Sequence, residues 1–388
     1  MKNKIFLYII ALLIASLAQV MADLYLPILP AMQQALRTTP HAVQFSIAAY
    51  IWGYAVSQLF YGPLSDAYGR KPIMLLGLTI TAIGSWVCFS ADHMSWLILG
   101  RCLQGAGAGA GLAISRAILR DLFHGPALIK AISYFAIANV AIMTSAPVVG
   151  ALLQVWFGWH ANFTFLLAYS IFIWLLVLLF LPETNAHYDS NKIKMSYLKS
   201  AVKQLFADHK YIYYVLNTFC TYAVVLVWIT MSSMLLIKYR HMLPLHYSFV
   251  MLGVGAVCAM ASRLNPILIK YFSANKVILT GAFIMLSAGL LLVLFNSYQS
   301  IWFVIIPIYI LIAGTSIVFP NSIASALSPF QKIVGTAAAI LGFLQIGGGA
   351  IASSIVSAYA MHTALAMGLF ICLLSLCCIG LSIKIYRS

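Results

Sequence analysis

Asp23 is a carboxylate set in a run that otherwise carries no charge from Ile5 to Leu36. An ionised acid at the centre of such a run costs about 2.5 to 3.5 kcal/mol to place in lipid. Desolvation disfavours the charged form, so a carboxyl held there could take up and release a proton near neutral pH. The other acids lie outside apolar runs: Asp66, Asp121, Glu183, Asp189 and Asp208 fall in loops or at run ends on one side, and Asp92 on the other. The 180 residues after Asp208 contain neither Asp nor Glu, so any cycle of a buried carboxyl must run through the amino-terminal half. The alternative role for Asp23 is that of a satisfied polar residue bridging helices.

Arg101 is the partner that the spacing offers. At 1.5 Å per residue, Asp23 lies about 15 Å inside a boundary at Gln33, and Arg101 about 13 Å inside one at Asp92. Similar depth permits coupling, directly or through water and Gln104. Arg101 could equally tie helices together through backbone carbonyls.

The elements that would position these residues follow from composition. The 388 residues are 63% hydrophobic and 7% charged, with mean hydropathy +0.99, where a soluble domain carries about 25% charge. This describes a polytopic membrane protein, with no room for a soluble domain. Apolar runs predict twelve spans, beginning at 5–33 and 42–63, with the fifth at 127–150 and the last at 363–384. The expected fold class is all-α integral membrane, twelve transmembrane helices in two pseudo-symmetric six-helix bundles. The bundles are 1–182 and 211–388, joined by a polar cytoplasmic loop at 183–210. A secretory leader cut after Ala22 would also suit Lys2, Lys4 and Val20-Met21-Ala22. However, the apolar run continues to Met32, and its loss would spoil the six-plus-six division.

Eighteen basic residues fall on the side of the amino terminus and three, Arg37, Lys238 and Arg240, on the other. The positive-inside rule then places both termini in the cytoplasm. It also accounts for the +15 net charge without nucleic acid, since the bases are scattered over loops and form no groove. The seven cysteines all lie in apolar spans without metal-like spacing, so neither a metal nor a cofactor is expected. A faint internal repeat lays 66–77 over 270–281, with Gly77 and Gly281 identical, as are Leu75 and Leu279.

The most specific local signal is Gly62-Pro63-Leu64-Ser65-Asp66-Ala67-Tyr68-Gly69-Arg70-Lys71-Pro72, which reads as a tight cytoplasmic turn with bases at the membrane surface. It resembles the loop signature of the major facilitator superfamily, G-x-L-a-D-r-x-G-r-k. Arg101-Cys102-Leu103-Gln104-Gly105 is similar to the superfamily's R-x-x-q-G element. Ala146-Pro147-Val148-Val149-Gly150 is similar to the G-P-x-x-G-G element of antiporters, with Ile142 and Ala146 in place of two expected glycines. Asp23-Leu24-Tyr25-Leu26-Pro27, Arg116 to Asp121, Phe319-Pro320-Asn321 and Gly335 to Gln345 together resemble the Bcr/CflA branch of drug:proton antiporters, over essentially the whole chain.

The resemblance implies the two-bundle fold and efflux driven by inward proton flow. It implies that Gly62, Asp66, Gly69 and Arg70, with Arg116 or Arg120, latch an inner gate, and that Pro147 and Gly150 form the antiporter element. Some multidrug relatives carry a second acid where this chain has Ala15, which favours neutral, zwitterionic or anionic cargo here. Polar or amphipathic residues within spans, Tyr25, Tyr50, Tyr54, Gln58, Asn139, Asn217, Tyr222, Trp228 and Gln345, suggest an aromatic, weakly polar cavity for amphiphilic small molecules. Each alone could instead be an interface anchor or a helix–helix hydrogen bond.

The expectation is a proton-coupled exporter, a monomer in a bacterial inner membrane whose partners are a small-molecule substrate, protons and the bilayer. A proton-coupled importer of the same fold is one alternative and an integral membrane transferase another. The transferase would require paired acids or a His–carboxylate cluster. His93, His160, His241, His246 and His362 have no carboxylate nearby in sequence, apart from the Asp92 that precedes His93.

Overall fold

The computed structural model describes residues 2–123, 125–185, 202–359 and 363–387. The helices are α1 (Lys2–Asp23), α2 (Leu29–Ala35), α3 (Pro40–Tyr68), α4 (Arg70–Phe89), α5 (Met94–Leu122), α6 (Gly125–Phe157), α7 (His160–Phe180), α8 (His209–Ser233), α9 (Pro244–Tyr271), α10 (Ala274–Leu294), α11 (Trp302–Leu327), α12 (Val334–Ala358) and α13 (Ala364–Arg387). No strand occurs among the described residues. Ten stretches among them are long and apolar enough to cross a membrane, and α1 with α2 forms one of these. The helix α3 has 29 residues, but His41, Gln44, Gln58 and Asp66 dilute its hydropathy. Most of the central polar segment, 186–201, lies outside the described residues, as does His362.

The chain forms two compact units, Met1–Thr38 with Ala49–Leu198, and Thr39–Ala48 with Lys199–Ser388. In the first, α4 packs along α5 and α7, and α1 lies against α5, α6 and α7. In the second, α8 packs on α11, α12 and α13, and α10 on α11 and α13. The first turns of α3 are tied within the second unit by Gln44 Nε2, which donates to the Thr230 carbonyl at 3.5 Å, and by His41, whose ring donates to the Ser357 carbonyl.

Without a hydrophobic force between helices in lipid, close packing falls to small residues. The helix α5 carries Gly105 and Gly109 toward α3, Gly107 toward α4 and Gly111 toward α1. A Cβ at Gly105 would stand 1.9 Å from the Tyr50 carbonyl of α3, one at Gly107 2.4 Å from the Gly77 carbonyl of α4, and one at Gly111 2.8 Å from the Ile14 carbonyl of α1. The second unit repeats the α4–α5 crossing: a Cβ at Gly314 of α11 would stand 2.8 Å from the Gly281 carbonyl of α10. Gly77 and Gly281, an identical pair of the sequence repeat, therefore do the same work in the two halves.

The loop signature differs from its sequence reading as a turn running from Gly62 to Pro72. The helix α3 continues through Gly62 and Pro63 to Tyr68, and Gly69 alone makes the turn before α4 opens at Arg70. Pro63 removes one helix hydrogen bond without ending the helix. Only Gly69 leaves helical backbone, at φ 103°, which a residue with a Cβ rarely adopts.

Gly107→Val and Gly314→Val should each destabilise the protein by about 1–3 kcal/mol through overpacking. Gly380→Ala, where a Cβ meets nothing within 4 Å, should change stability little. Thermal unfolding of the purified protein in detergent checks the contrast.

Candidate functional site

The first span breaks at its acid. The helix α1 ends at Asp23, and Leu24 N–H makes the closing bond to Val20 O at 3.0 Å. A single 3₁₀ turn, Leu26–Ile28, leads into α2. Pro27 and Pro30 explain the interruption, because neither offers an N–H to the preceding turn and both suit the start of a helical segment. Asp23 is 3% exposed and its Oδ2 has no hydrogen-bond partner. A helix end leaves its last carbonyls unpaired, and other elements take some of them up.

Arg101 of α5 is fully buried, at 0% exposure. Its Nη1 donates to the Met21 carbonyl in the last turn of α1 and to Gln104 Oε1, both at 2.9 Å. Gln104 passes the chain on, its Nε2 donating to Ser85 Oγ at 2.9 Å. The guanidinium carbon lies 4.3 Å from the Tyr25 ring centre and 4.4 Å from that of Tyr50. Tyr50 in turn donates to the Ala18 carbonyl at 2.6 Å. A buried cation is thus held by a carbonyl, an amide and two aromatic faces, the faces being worth about 2 kcal/mol or more when desolvated. Arg101 forms no ion pair with Asp23. Of the two roles left open by depth, the contacts made are those of a helix tie anchored on the turn that carries Asp23.

From the other side α6 meets the break. A Cβ at Gly150 would stand 2.1 Å from the Leu24 carbonyl and 3.2 Å from Asn162 Oδ1 of α7. Gly150 therefore permits a close approach that any side chain would prevent. Pro147 lies one turn earlier within the same helix. Asn162 was not singled out in the sequence, where a lone amide at the start of a span reads as an interface anchor. It is fully buried with both amide atoms unpartnered.

A second cluster gathers at the α3–α4 turn. Arg70 pairs with Asp66 and, through Nε at 3.4 Å, with Asp121 Oδ2, and its Nη1 donates to Ser65 Oγ at 2.7 Å. Glu183 caps α4: its Oε1 accepts from Arg70 N–H at 2.9 Å and its Oε2 from Lys71 N–H at 3.1 Å. A carboxylate suits that helix end, where unpaired N–H groups and the dipole converge. Thr184 Oγ1 donates to Asp121 Oδ2 at 3.1 Å, and Asn185 Nδ2 to the Asp66 carbonyl at 2.9 Å. Sequence reasoning named Asp66, Gly69 and Arg70 but missed Asp121 and Glu183, which lie 51 and 113 residues from Arg70. Arg116 is exposed, and the side chain of Arg120 lies outside the described residues. Gly62 lies within α3 with open space where a Cβ would project.

The profile of the Major Facilitator Superfamily matches residues 10–353. The chain belongs to the Major Facilitator Superfamily. Among curated relatives, Multidrug resistance protein D of Escherichia coli K12 is 28% identical, covering 91% of this chain and 89% of its own length. The Bicyclomycin resistance protein homolog of Haemophilus influenzae is 25% identical, with 94% and 92% covered. Multidrug resistance protein MdtL of Citrobacter koseri is 28% identical, with 84% and 82% covered. These names accord with the branch to which the sequence motifs point. The fold matches the xylose transporter XylE of E. coli in a partially occluded inward open conformation, with TM-score 0.76 and 11% identity over 100% of this chain and 98% of that one. It also matches the nucleoside transporter NupG, with TM-score 0.74 and 12% identity over 98% and 99%. The protein is a multi-pass membrane transporter and not an enzyme.

The remaining expected contacts of this superfamily member are spread through both units. In the first unit, Tyr54 stacks on Tyr50 with ring centres 6.2 Å apart, and Gln58 lies half-buried one turn further along the same helix. Asn139 Nδ2 donates to the Phe135 carbonyl of its own helix at 2.8 Å, which spends that donor on a helix-internal bond. In the second, Tyr222 stacks on Phe319 at 6.2 Å, and Gln345 is half-buried. Asn217 donates to Ser382 Oγ at 3.4 Å, and its Oδ1 is unpartnered. Trp228 is fully buried with Nε1 unpartnered.

Arg70→Lys keeps the charge but loses the fork that reaches Asp66, Asp121 and Ser65 together. It should cost about 1.5–3 kcal/mol of stability, whereas Arg116→Lys, at an exposed position, should cost little. Thermal unfolding in detergent separates the two.

Proposed function

We propose that this transporter is a proton-driven exporter of small organic molecules in which Asp23 carries the proton. The observation that supports it most is the buried carboxyl at the break of α1, with one oxygen unpartnered and no ion pair to Arg101, which bonds to the Met21 carbonyl of the same turn. A salt bridge would hold the carboxyl ionised; an unpaired one can exist in either form. Burial disfavours its charge and wetting favours it, so alternating access to the two sides would load and release a proton in turn.

The names of the relatives, for multidrug and bicyclomycin resistance, support export of drug-like compounds. Gly150 against Leu24 supports a role for the antiporter element in holding the break. The basic residues support an orientation with both termini in the cytoplasm, the bacterial relatives support the inner membrane, and we take the acting unit to be a monomer. On this reading Asp66, Gly69, Arg70 and their acidic partners bias the conformational equilibrium, while Tyr54, Gln58, Tyr222 and Gln345 offer contacts to cargo. Arg101 acts through the turn that carries Asp23.

The test is proton movement in sealed proteoliposomes, recorded with a pH dye as bicyclomycin and a panel of amphiphilic compounds are added to wild type and Asp23→Asn. Compound-evoked flux should appear in wild type and vanish in the variant. Undiminished flux in Asp23→Asn would make the carboxyl structural.

A further inference from the structure

We propose that Asn162 is a positioning residue on the proton's route: its amide, together with the Leu24 carbonyl, holds the water through which protons reach and leave Asp23 from the side at which α7 begins. The inference rests on the reading of Asp23 as the proton carrier and adds the path by which that proton arrives.

The argument starts from cost. Asn162 lies in the first turn of α7, a helix that is otherwise almost wholly apolar, and it is 0% exposed. Neither Nδ2 nor Oδ1 has a partner from backbone or side chain. A buried polar group left so costs about 1–3 kcal/mol, a cost that leucine, with the same branched skeleton, would avoid. The amide faces a particular place. The position that a Cβ on Gly150 would occupy is 3.2 Å from Asn162 Oδ1 and 2.1 Å from the Leu24 carbonyl oxygen, so the amide oxygen and the carbonyl oxygen both lie close against Gly150.

That carbonyl also lacks its helical donors. In a 3₁₀ turn the donor would be Pro27, which has no N–H. In an α turn it would be Ile28, whose N–H goes instead to the Tyr25 carbonyl at 3.3 Å. One carbonyl acceptor, one amide acceptor and one amide donor make the set that a buried water needs, two to four polar partners. Leu24 is bonded to Asp23, so a water held there stands beside the carboxyl's own backbone.

The charged and titratable groups around this place are few. On α5 there is Arg101, engaged with Met21, Gln104 and two rings. Tyr50 of α3 and Tyr25 flank that guanidinium. On α7 His160 precedes Asn162 by two residues and stacks on Trp159 at 3.6 Å, with Asp92 near it. Between Pro147 and Phe157, α6 offers none. The step itself is a transfer in which hydronium gives a proton to the Asp23 carboxylate and remains as water. Release is the reverse, with only O–H bonds made and broken.

The experiment is a pH jump on purified protein in detergent, with proton uptake followed by a pH dye in a stopped-flow instrument. It compares wild type, Asp23→Asn, Asn162→Leu and Asn162→Ser, and needs no cargo. The wild-type signal minus that of Asp23→Asn is the proton taken by Asp23. Asn162→Leu should retain that amplitude but slow it by about tenfold or more, the scale of a lost proton-transfer partner. Asn162→Ser, which keeps a hydroxyl, should recover most of the rate. Uptake by Asn162→Leu at the wild-type rate would overturn the relay while leaving Asp23 as carrier. Lost amplitude in a folded variant would overturn it too, since Asn162 would then set the carboxyl's environment and not its access. Absence of any Asp23-dependent uptake in wild type would instead overturn the carrier reading and the relay with it. If Asn162→Leu does not fold, Asn162→Ala is judged by the same outcomes.

Discussion

The first unit depends on how a buried guanidinium is held without a carboxylate, with its Nε left unpartnered. Arg101 sits between the rings of Tyr25 and Tyr50 and bonds to the Met21 carbonyl and Gln104. Each contact serves a second purpose. The Met21 carbonyl is one that the end of α1 leaves unpaired, so the arginine stabilises the interruption. Tyr25 lies in the interruption itself, and Tyr50 reaches α1 at Ala18. Three separate elements are therefore tied at the level of Asp23 while the acid is left out of the network. Had Arg101 paired with it directly, the carboxyl would be fixed as an anion and the pair would be a strut.

The close approach of α5 makes this arrangement possible. Arg101 and Gln104 precede a stretch in which glycine alternates with alanine, and those glycines bring the α5 backbone against α1, α3 and α4 at distances that a Cβ would forbid. In lipid such contacts gain dispersion and cost no exposed polar surface. Gly150 does the same from α6. The polar centre is thus enclosed by backbone more than by large side chains, and this leaves Asn162 facing a carbonyl across a glycine.

The sequence made one half of this legible. A lone acid and a lone arginine in apolar runs are conspicuous because every neighbour is uncharged; similar depth suggests a link between them, and the structure has Arg101 bonding to the Met21 carbonyl of the turn that ends at Asp23. Gly77 and Gly281 marked a repeat that proves to be the same crossing in each unit. What could not be read was which groups satisfy which. Arginine donates to carbonyls, amide oxygens or carboxylates and lies over rings, and only packing decides among them. Glu183 reads as the first residue of a polar loop, yet its carboxylate caps α4 from 113 residues away. The loop signature looked like a turn because glycine and proline punctuate it, whereas Pro63 is absorbed in α3 and Gly69 alone turns the chain. Asn162 gave no signal of its own, since its meaning lies in Gly150 and Leu24.

The two units also differ in the chemistry available to them. The second has no acid after Asp208, and its buried polar residues bond as neutral groups: Asn321 Nδ2 to Asn265 Oδ1 at 2.7 Å, Thr230 to Ser353 at 2.8 Å, Ser232 to Tyr247 at 2.8 Å. Such bonds fix helices and can meet a ligand's polar groups, but they cannot take up a charge. On the proposed reading the division of labour follows. The first unit handles the proton, and the spans of the second offer no acid to take one up. With one embedded carboxyl available, a cargo bearing two positive charges would find a single compensating anion, and that anion would vanish each time the proton is carried. Neutral, zwitterionic or anionic molecules raise no such conflict. The charge of the cargo is in this way limited by the scarcity of acids in the spans, before the shape of any binding surface is considered.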